Sequence, residues 1–272
     1  MRRHSRVELE YRNAMGTELC EPQSIRNVTI IGDPEETARL VHRLTRRAAA
    51  VTAGAEVTLP WTTDRAERTI RLAELSSHAP LATLERAIRL ADGVVVVMSA
   101  AVPRAPRLEA ILRVADDHQV ARLCLVTGLD HPAADFDGCV GTIAHTHGAV
   151  PLTVQIPHGV GAAFAGVIDL VPMWALEPMA AEFYGDHWPI AEQHYRALVT
   201  AVTNQDATDR HPRRLPPGWM YDRVRHLTHI GDAAPVLCDA GSRNDIAPFL
   251  DAVIRYLPSP LHVCQPEHAL DY

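Results

Sequence analysis

Gly93-Val94-Val95-Val96-Val97-Met98 is an apolar run with no polar alternation. A strand of that kind has to be covered on both faces, which belongs to parallel sheets flanked by helices. The segments around it follow the same rule. Val28-Thr29-Ile30-Ile31-Gly32 is a second buried strand, and residues 34–47 carry Ala38, Val41 and Leu44 at helical spacing. Alternating runs at 57–61 and 69–72 read as strands joined by a polar turn. Residues 81–91 predict a helix, 106–118 a helix, 121–127 a strand and 135–145 a helix. Strands alternating with helices of this length predict the α/β class, with a mostly parallel sheet and helices on both faces.

The alternation breaks near residue 150. Residues 150–156 and 167–170 read as strands with glycines between them. Helices follow at 190–202 and 217–227, separated by a connection rich in Pro and Arg. Strand 235–238 and helix 246–256 then restore the pattern. This divides the chain into an N-terminal tail (1–24), an α/β domain built from 25–157 and 235–260, a smaller inserted α+β subdomain (158–234) and a C-terminal tail (261–272).

Composition narrows the chemistry. The 272 residues hold 26 basic side chains, and all of them are arginine. A chain without lysine has no Schiff base, no lysine general base and no phosphate-loop lysine. A net charge of -7 gives no global basic field for DNA or RNA. The 5 cysteines (Cys20, Cys124, Cys139, Cys238, Cys264) form no C-x-x-C pair and are odd in number, so a reducing cytoplasm is expected. No signal peptide opens the sequence, and no run is long enough to span a bilayer.

Several collinear phrases resemble the GTP-binding domain of bacterial elongation factor G, a translational GTPase. Ile25-Arg26-Asn27-Val28 resembles the opening before its phosphate loop. Residues 84–96, from Leu84-Glu85-Arg86-Ala87 to Val94-Val95-Val96, resemble its second-switch helix and next strand. Gly128-Leu129-Asp130, then Ala134-Asp135-Phe136-Asp137, resembles its guanine-reading loop. Phe164-Ala165-Gly166-Val167-Ile168-Asp169-Leu170-Val171-Pro172-Met173 resembles the start of its inserted subdomain. Pro235-Val236-Leu237-Cys238 and Tyr256-Leu257-Pro258-Ser259-Pro260 resemble the domain's end. The likeness covers residues 25–261 and implies a P-loop-GTPase-like fold. The family's later domains have no counterpart before Tyr272.

The resemblance departs from the family at the chemistry. The family's glycines and Gly-Lys-Thr become Gly32-Asp33-Pro34-Glu35-Glu36-Thr37, a degenerate Walker A loop with Glu36 at the lysine position. Thr37 keeps the hydroxyl that would hold magnesium. The family's D-T-P-G-H becomes Glu74-Leu75-Ser76-Ser77-His78, which places His78 on the water-positioning histidine. Its N-K-x-D becomes Thr127-Gly128-Leu129-Asp130 and keeps only the aspartate. Its S-A loop corresponds to Asp239-Ala240, or to a shifted register.

Read without the family, the loop is a helix start. Asp33 suits the N-cap, Pro34 the first helical position and Glu36 the third, the pattern of a capping box. Glu35 and Glu36 put negative charge on the positive helix end, where a phosphate loop would leave amides free.

Among the 15 histidines, His226 and His229 stand at i and i+3 and could share one ligand, but no third ligand is evident, so no metal is expected. His145 and His147 do not share a helix face. His187, His194 and His211 fall in the insertion. Arg210 and Arg213-Arg214-Leu215-Pro216-Pro217 read as a solvated basic turn. Asp33, Glu35, Glu36 and Glu74, with His78 and Asp130, are expected to line the crevice at the strands' C-terminal rim.

The leading expectation is a pseudo-GTPase: an elongation-factor-G-like domain that has lost GTP hydrolysis and GTP binding and works by binding. The nucleotide-site remnants are Asp33, Glu35, Glu36, Thr37, Asp130 and Asp239. No cofactor is expected; GTP and magnesium are the two that the departures put in question. The partner is an unidentified protein or a small molecule, with the ribosome implied by resemblance and neither membrane nor DNA. The alternative is a repurposed enzyme of small-molecule metabolism, with His78 and Glu74 as acid–base candidates. A weak GTP binder retaining Thr37 and Asp130 is the third reading.

Overall fold

A computed structural model describes residues 22–47, 50–53, 56–64, 66–103, 107–146, 148–175, 177–203, 215–239 and 245–263. Its main sheet has eight strands: β1 (Ile25–Gly32), β2 (Val51–Ala53), β3 (Glu56–Thr63), β4 (Ala66–Ser76), β5 (Gly93–Ser99), β6 (Ala121–Thr127), β7 (Val150–Thr153) and β10 (Ala233–Cys238). They lie in the order β2-β3-β4-β1-β5-β6-β10-β7. β2, β3 and β4 pair antiparallel, and every other neighbour is parallel. Residues 93–98 and 121–127 are buried at every position, as an apolar run without alternation requires.

Helices α1 (Pro34–Arg47), α2 (Leu81–Leu90), α3 (Leu108–Asp117) and α4 (Phe136–His145) follow β1, β4, β5 and β6 in turn. Of the stripe predicted for α1, Leu44 is buried and Val41 half-buried, but Ala38 is exposed; the buried face runs through Thr37, Leu40 and Leu44 instead. Asp135 caps α4 by accepting from the Gly138 amide at 2.8 Å.

The run at 150–156 is two strands rather than one. β7 pairs with β10 in the main sheet, whereas β8 (Gln155–His158) leaves it and pairs antiparallel with β9 (Gly166–Asp169). The break falls at Val154, whose carbonyl accepts from the Leu170 amide at 3.0 Å. Helices α5 (Leu170–Ala175) and α6 (Glu177–Tyr184) come next and have no counterpart in the sequence reading. α7 (Trp188–Thr203) and α8 (Pro217–His229) follow, with Tyr195, Leu198, Met220 and Val224 in the core. α9 (Ala247–Tyr256) comes after β10.

The tail at 1–21, the Arg-rich connection holding Arg210, His211, Arg213 and Arg214, and His147, Ala240, Cys20 and Cys264 lie outside the described residues. Cys124, Cys139 and Cys238 are buried free thiols. Among the described residues, no helix is long and apolar enough to cross a membrane.

Candidate functional site

Parallel register brings the C-terminal ends of three strands to one rim. Gly32 of β1 lies opposite Ser76 of β4, and Ile31 lies opposite Val96 of β5. Gly32 belongs there for space, because a Cβ at this position would stand 2.7 Å from Val97 Cβ. Its carbonyl accepts from the Ser77 amide at 2.7 Å, which fixes the loop after β4 against the start of α1.

The helix start satisfies itself. Asp33 Oδ1 accepts from the Glu35 amide at 3.0 Å, as an N-cap carboxylate should. Glu36 does not close the expected capping box. Its Oε1 pairs with Arg39 Nη2 at 2.6 Å, one turn along the helix. Arginine at i+3 offers glutamate a charged partner, which the neutral amide of residue 33 does not. Thr37 is fully buried, and its hydroxyl donates to Glu74 Oε1 at 2.5 Å.

Glu74 and His78 are not linked by a hydrogen bond or ion pair among the described residues. The His78 side chain is exposed. Its main chain is held instead: its amide donates to Ser76 Oγ at 3.1 Å, and its carbonyl accepts from Arg107 Nη1 at 3.1 Å. Arg107 also donates to the Ala79 carbonyl at 2.5 Å. It stands immediately before α3 with φ 70°, a left-handed backbone that costs a non-glycine residue about 1–2 kcal/mol. The sequence reading placed Arg107 inside a helix and missed this clamp on the loop of His78.

Asp130 and Asp239 have separate surroundings. Gly128 turns the chain with φ 66°, Leu129 is buried and Asp130 is exposed. Asp239 Oδ2 pairs with Arg43 Nη2 of α1 at 2.6 Å, with both side chains mostly shielded. The sequence carried no local signal for this pair, whose members stand 196 residues apart.

The structure thus gathers part of the expected crevice. Asp33, Glu35, Glu36 and His78 line one pocket of about 270 Å³, with Val97, Val102, Leu108 and Ile111 as its apolar wall. Glu74, Thr37, Asp130 and Asp239 do not line it. Among the described residues, no group of three or more His, Cys, Asp or Glu side chains could hold a metal ion.

A protein 35% identical over 212 residues is Elongation factor G 2 of Streptomyces coelicolor. The chain is related to elongation factor G. The match takes in 71% of this chain and 30% of that relative's length. No protein-family model matches. A crystal structure of a Thermus thermophilus protein superposes with a TM-score of 0.66 at 16% identity, covering 88% of this chain and 41% of that one. The fold is that of an elongation-factor-G-like, P-loop-GTPase-like α/β domain.

Against that relationship the helix start has a definite chemical meaning. A triphosphate at this rim would meet Glu35 and Glu36 with no lysine to oppose them, and the one arginine of the pocket lining, Arg39, is already paired with Glu36. One carboxylate and one phosphate charge at ~4 Å, in an effective dielectric of ~20, repel by about 4 kcal/mol. Exchanging a lysine for a glutamate reverses the sign, a swing of up to roughly 8 kcal/mol before solvent screening. The hydroxyl that would serve a metal ion is donated to Glu74. These residues do not fit a magnesium–nucleotide complex.

Proposed function

We propose that this elongation-factor-G-like domain is a pseudo-GTPase, which neither hydrolyses GTP nor binds it appreciably and which acts as a binding or scaffold protein. The observation that carries this reading is the start of α1. Asp33 holds the Glu35 amide, Glu36 stands at the lysine position and Thr37 gives its hydroxyl to Glu74. A phosphate site needs free amides and positive charge at a helix N-terminus. This helix start offers carboxylates instead.

The relationship to elongation factor G favours a translation-associated partner, with the ribosome first among candidates, and a cytoplasmic setting. Calorimetric titration of GTP and GDP in the presence of magnesium tests the proposal. Heat that saturates with a micromolar dissociation constant would overturn it.

The enzyme alternative draws its support from one feature: His78 lines the pocket beside an apolar wall. Histidine is suited to proton transfer near neutral pH. The geometry supports it less, because Glu74 is engaged with Thr37 rather than with the imidazole.

A further inference from the structure

A larger cavity, about 830 Å³, opens on the opposite rim of the sheet. Its floor is made by residues 91–92, just before β5, and 120–121, at the start of β6, which are the N-terminal ends of these strands. One wall is α2. The volume falls within the range of small-molecule sites, roughly 300–1,000 Å³.

Its lining carries the carboxylates Glu85 and Asp92 and the arginines Arg86 and Arg89. Glu85 faces His118 Nε2 at 3.5 Å. Asp92 accepts a 2.6 Å hydrogen bond from Asn27 Nδ2. Each carboxylate of the lining thus faces a side chain of the protein rather than the guanidinium of Arg86 or Arg89. Arg86 and Arg89 are exposed, and among the described residues their guanidinium groups take part in no ion pair or hydrogen bond. Three residues apart on α2, they share a face and can act on one ligand. Guanidinium groups bind carboxylate and phosphate in a planar, two-pronged geometry.

Positive charge also stands behind the floor. Arg26 is half-buried, and its guanidinium donates to the carbonyls of Gln23, Ile25 and Ile254. His229 lines the cavity, and among the described residues its buried Nε2 has no hydrogen-bond partner. Burial first, then Arg225 and Arg26, pushes its pKa down to about 4, so the ring adds no charge near neutral pH.

We propose that this cavity binds a small polyanion bearing carboxylate or phosphate groups, gripped by Arg86 and Arg89. The site is independent of the former nucleotide crevice. It takes the charge class that the opposite rim repels.

Inorganic pyrophosphate and citrate, each titrated into the full chain at constant ionic strength without magnesium, probe the two anion types. Amide NMR shifts are followed. Saturable shifts at Ala91, Gln119 and Ala121 are expected for at least one probe, with a dissociation constant of about a millimolar or tighter. Arg86→Ala and Arg89→Ala should each weaken that binding about tenfold, and both residues are exposed enough to leave the fold intact. The preferred probe tells phosphate from carboxylate. Absence of saturable shifts with both probes would overturn the proposal. So would shifts centred on residues 32–37, or unchanged affinity in the two variants.

Discussion

The Thr37 hydroxyl donates to Glu74 Oε1 at 2.5 Å, from the first turn of α1 to the last part of β4. The relationship ties helix to sheet at the rim where the strands converge. Thr37 is fully buried, while Glu74 is exposed. Thr37→Val keeps the shape and removes the donor. It should destabilise the protein by about 0.5–1.5 kcal/mol, the ordinary net worth of such a bond. Glu74→Gln retains an acceptor oxygen and should cost less. Chemical denaturation of the two variants checks the order, and an unaffected Thr37→Val would mean the contact contributes nothing.

Nucleotide affinity follows from the same helix start. We expect GTP and GDP to bind no more tightly than about millimolar, or roughly 4 kcal/mol. Glu36→Lys removes the repulsive charge but leaves Thr37 committed and Asp33 on the Glu35 amide. It should therefore fall short of micromolar affinity. Calorimetry on wild type and variant decides both statements.

Asp33 and Glu36 should separate in their effect on stability. Asp33→Ala removes the N-cap acceptor and should cost about 0.5–2 kcal/mol. Glu36 pairs with a largely exposed Arg39, so Glu36→Ala should cost less than about 1 kcal/mol. Equal losses in urea denaturation would show that Glu36 supports the cap after all.

How much of this was legible in the sequence depends on how local the cause is. β1, β5 and β6 are apolar runs and α1 has its cap, so each is visible within a dozen residues, although the buried face of α1 runs through Leu40 rather than the exposed Ala38. α5 is only six residues long and contains Pro172, which leaves no period to read. β2 has three residues. The run at 150–156 looks continuous because strand pairing, not composition, divides it at Val154. The site behaves likewise. Asp33 as a cap is a local pattern and was readable. The partners of Glu36, Thr37 and Asp239 are choices among charges, and for Glu74 and Arg43 they are made by the tertiary fold.

His78 separates a binding module from an enzyme. Its side chain is exposed and its loop is held through main-chain atoms and Arg107. His78→Ala should leave stability within about 0.5 kcal/mol of wild type. An acid–base role would instead show as a loss of turnover of about 10²–10⁴-fold with intact folding. Product formation by the two proteins, in a screen of small-molecule substrates, distinguishes these outcomes. Equal turnover removes the imidazole from any mechanism.

Two half-buried groups give opposite pH dependences in overlapping windows. Burial raises Asp169 from 3.8 to about 6, against the opposing pull of its hydrogen bond from the Val171 amide. Its folded pKa lies above the unfolded one, so the native state holds the proton more tightly. The stability it contributes is present below about pH 4 and is lost as pH rises through 6. Burial, then Arg225 and Arg26, lowers His229 from 6.5 to about 4. There the unfolded state holds the proton more tightly, so stability present above pH 6.5 is lost as pH falls toward 4. At about 1.4 kcal/mol per unit, each effect is on the order of 3 kcal/mol at most, and the two nearly cancel in the wild type. Asp169→Asn keeps an acceptor for the Val171 amide and removes only the first effect. Relative to wild type, it should become more stable as pH rises from 4 to 6.5. His229→Gln should do the reverse, gaining on wild type as pH falls over the same range. Urea denaturation at half-unit intervals measures both differences. Profiles parallel to wild type would show that neither group changes its proton affinity on folding.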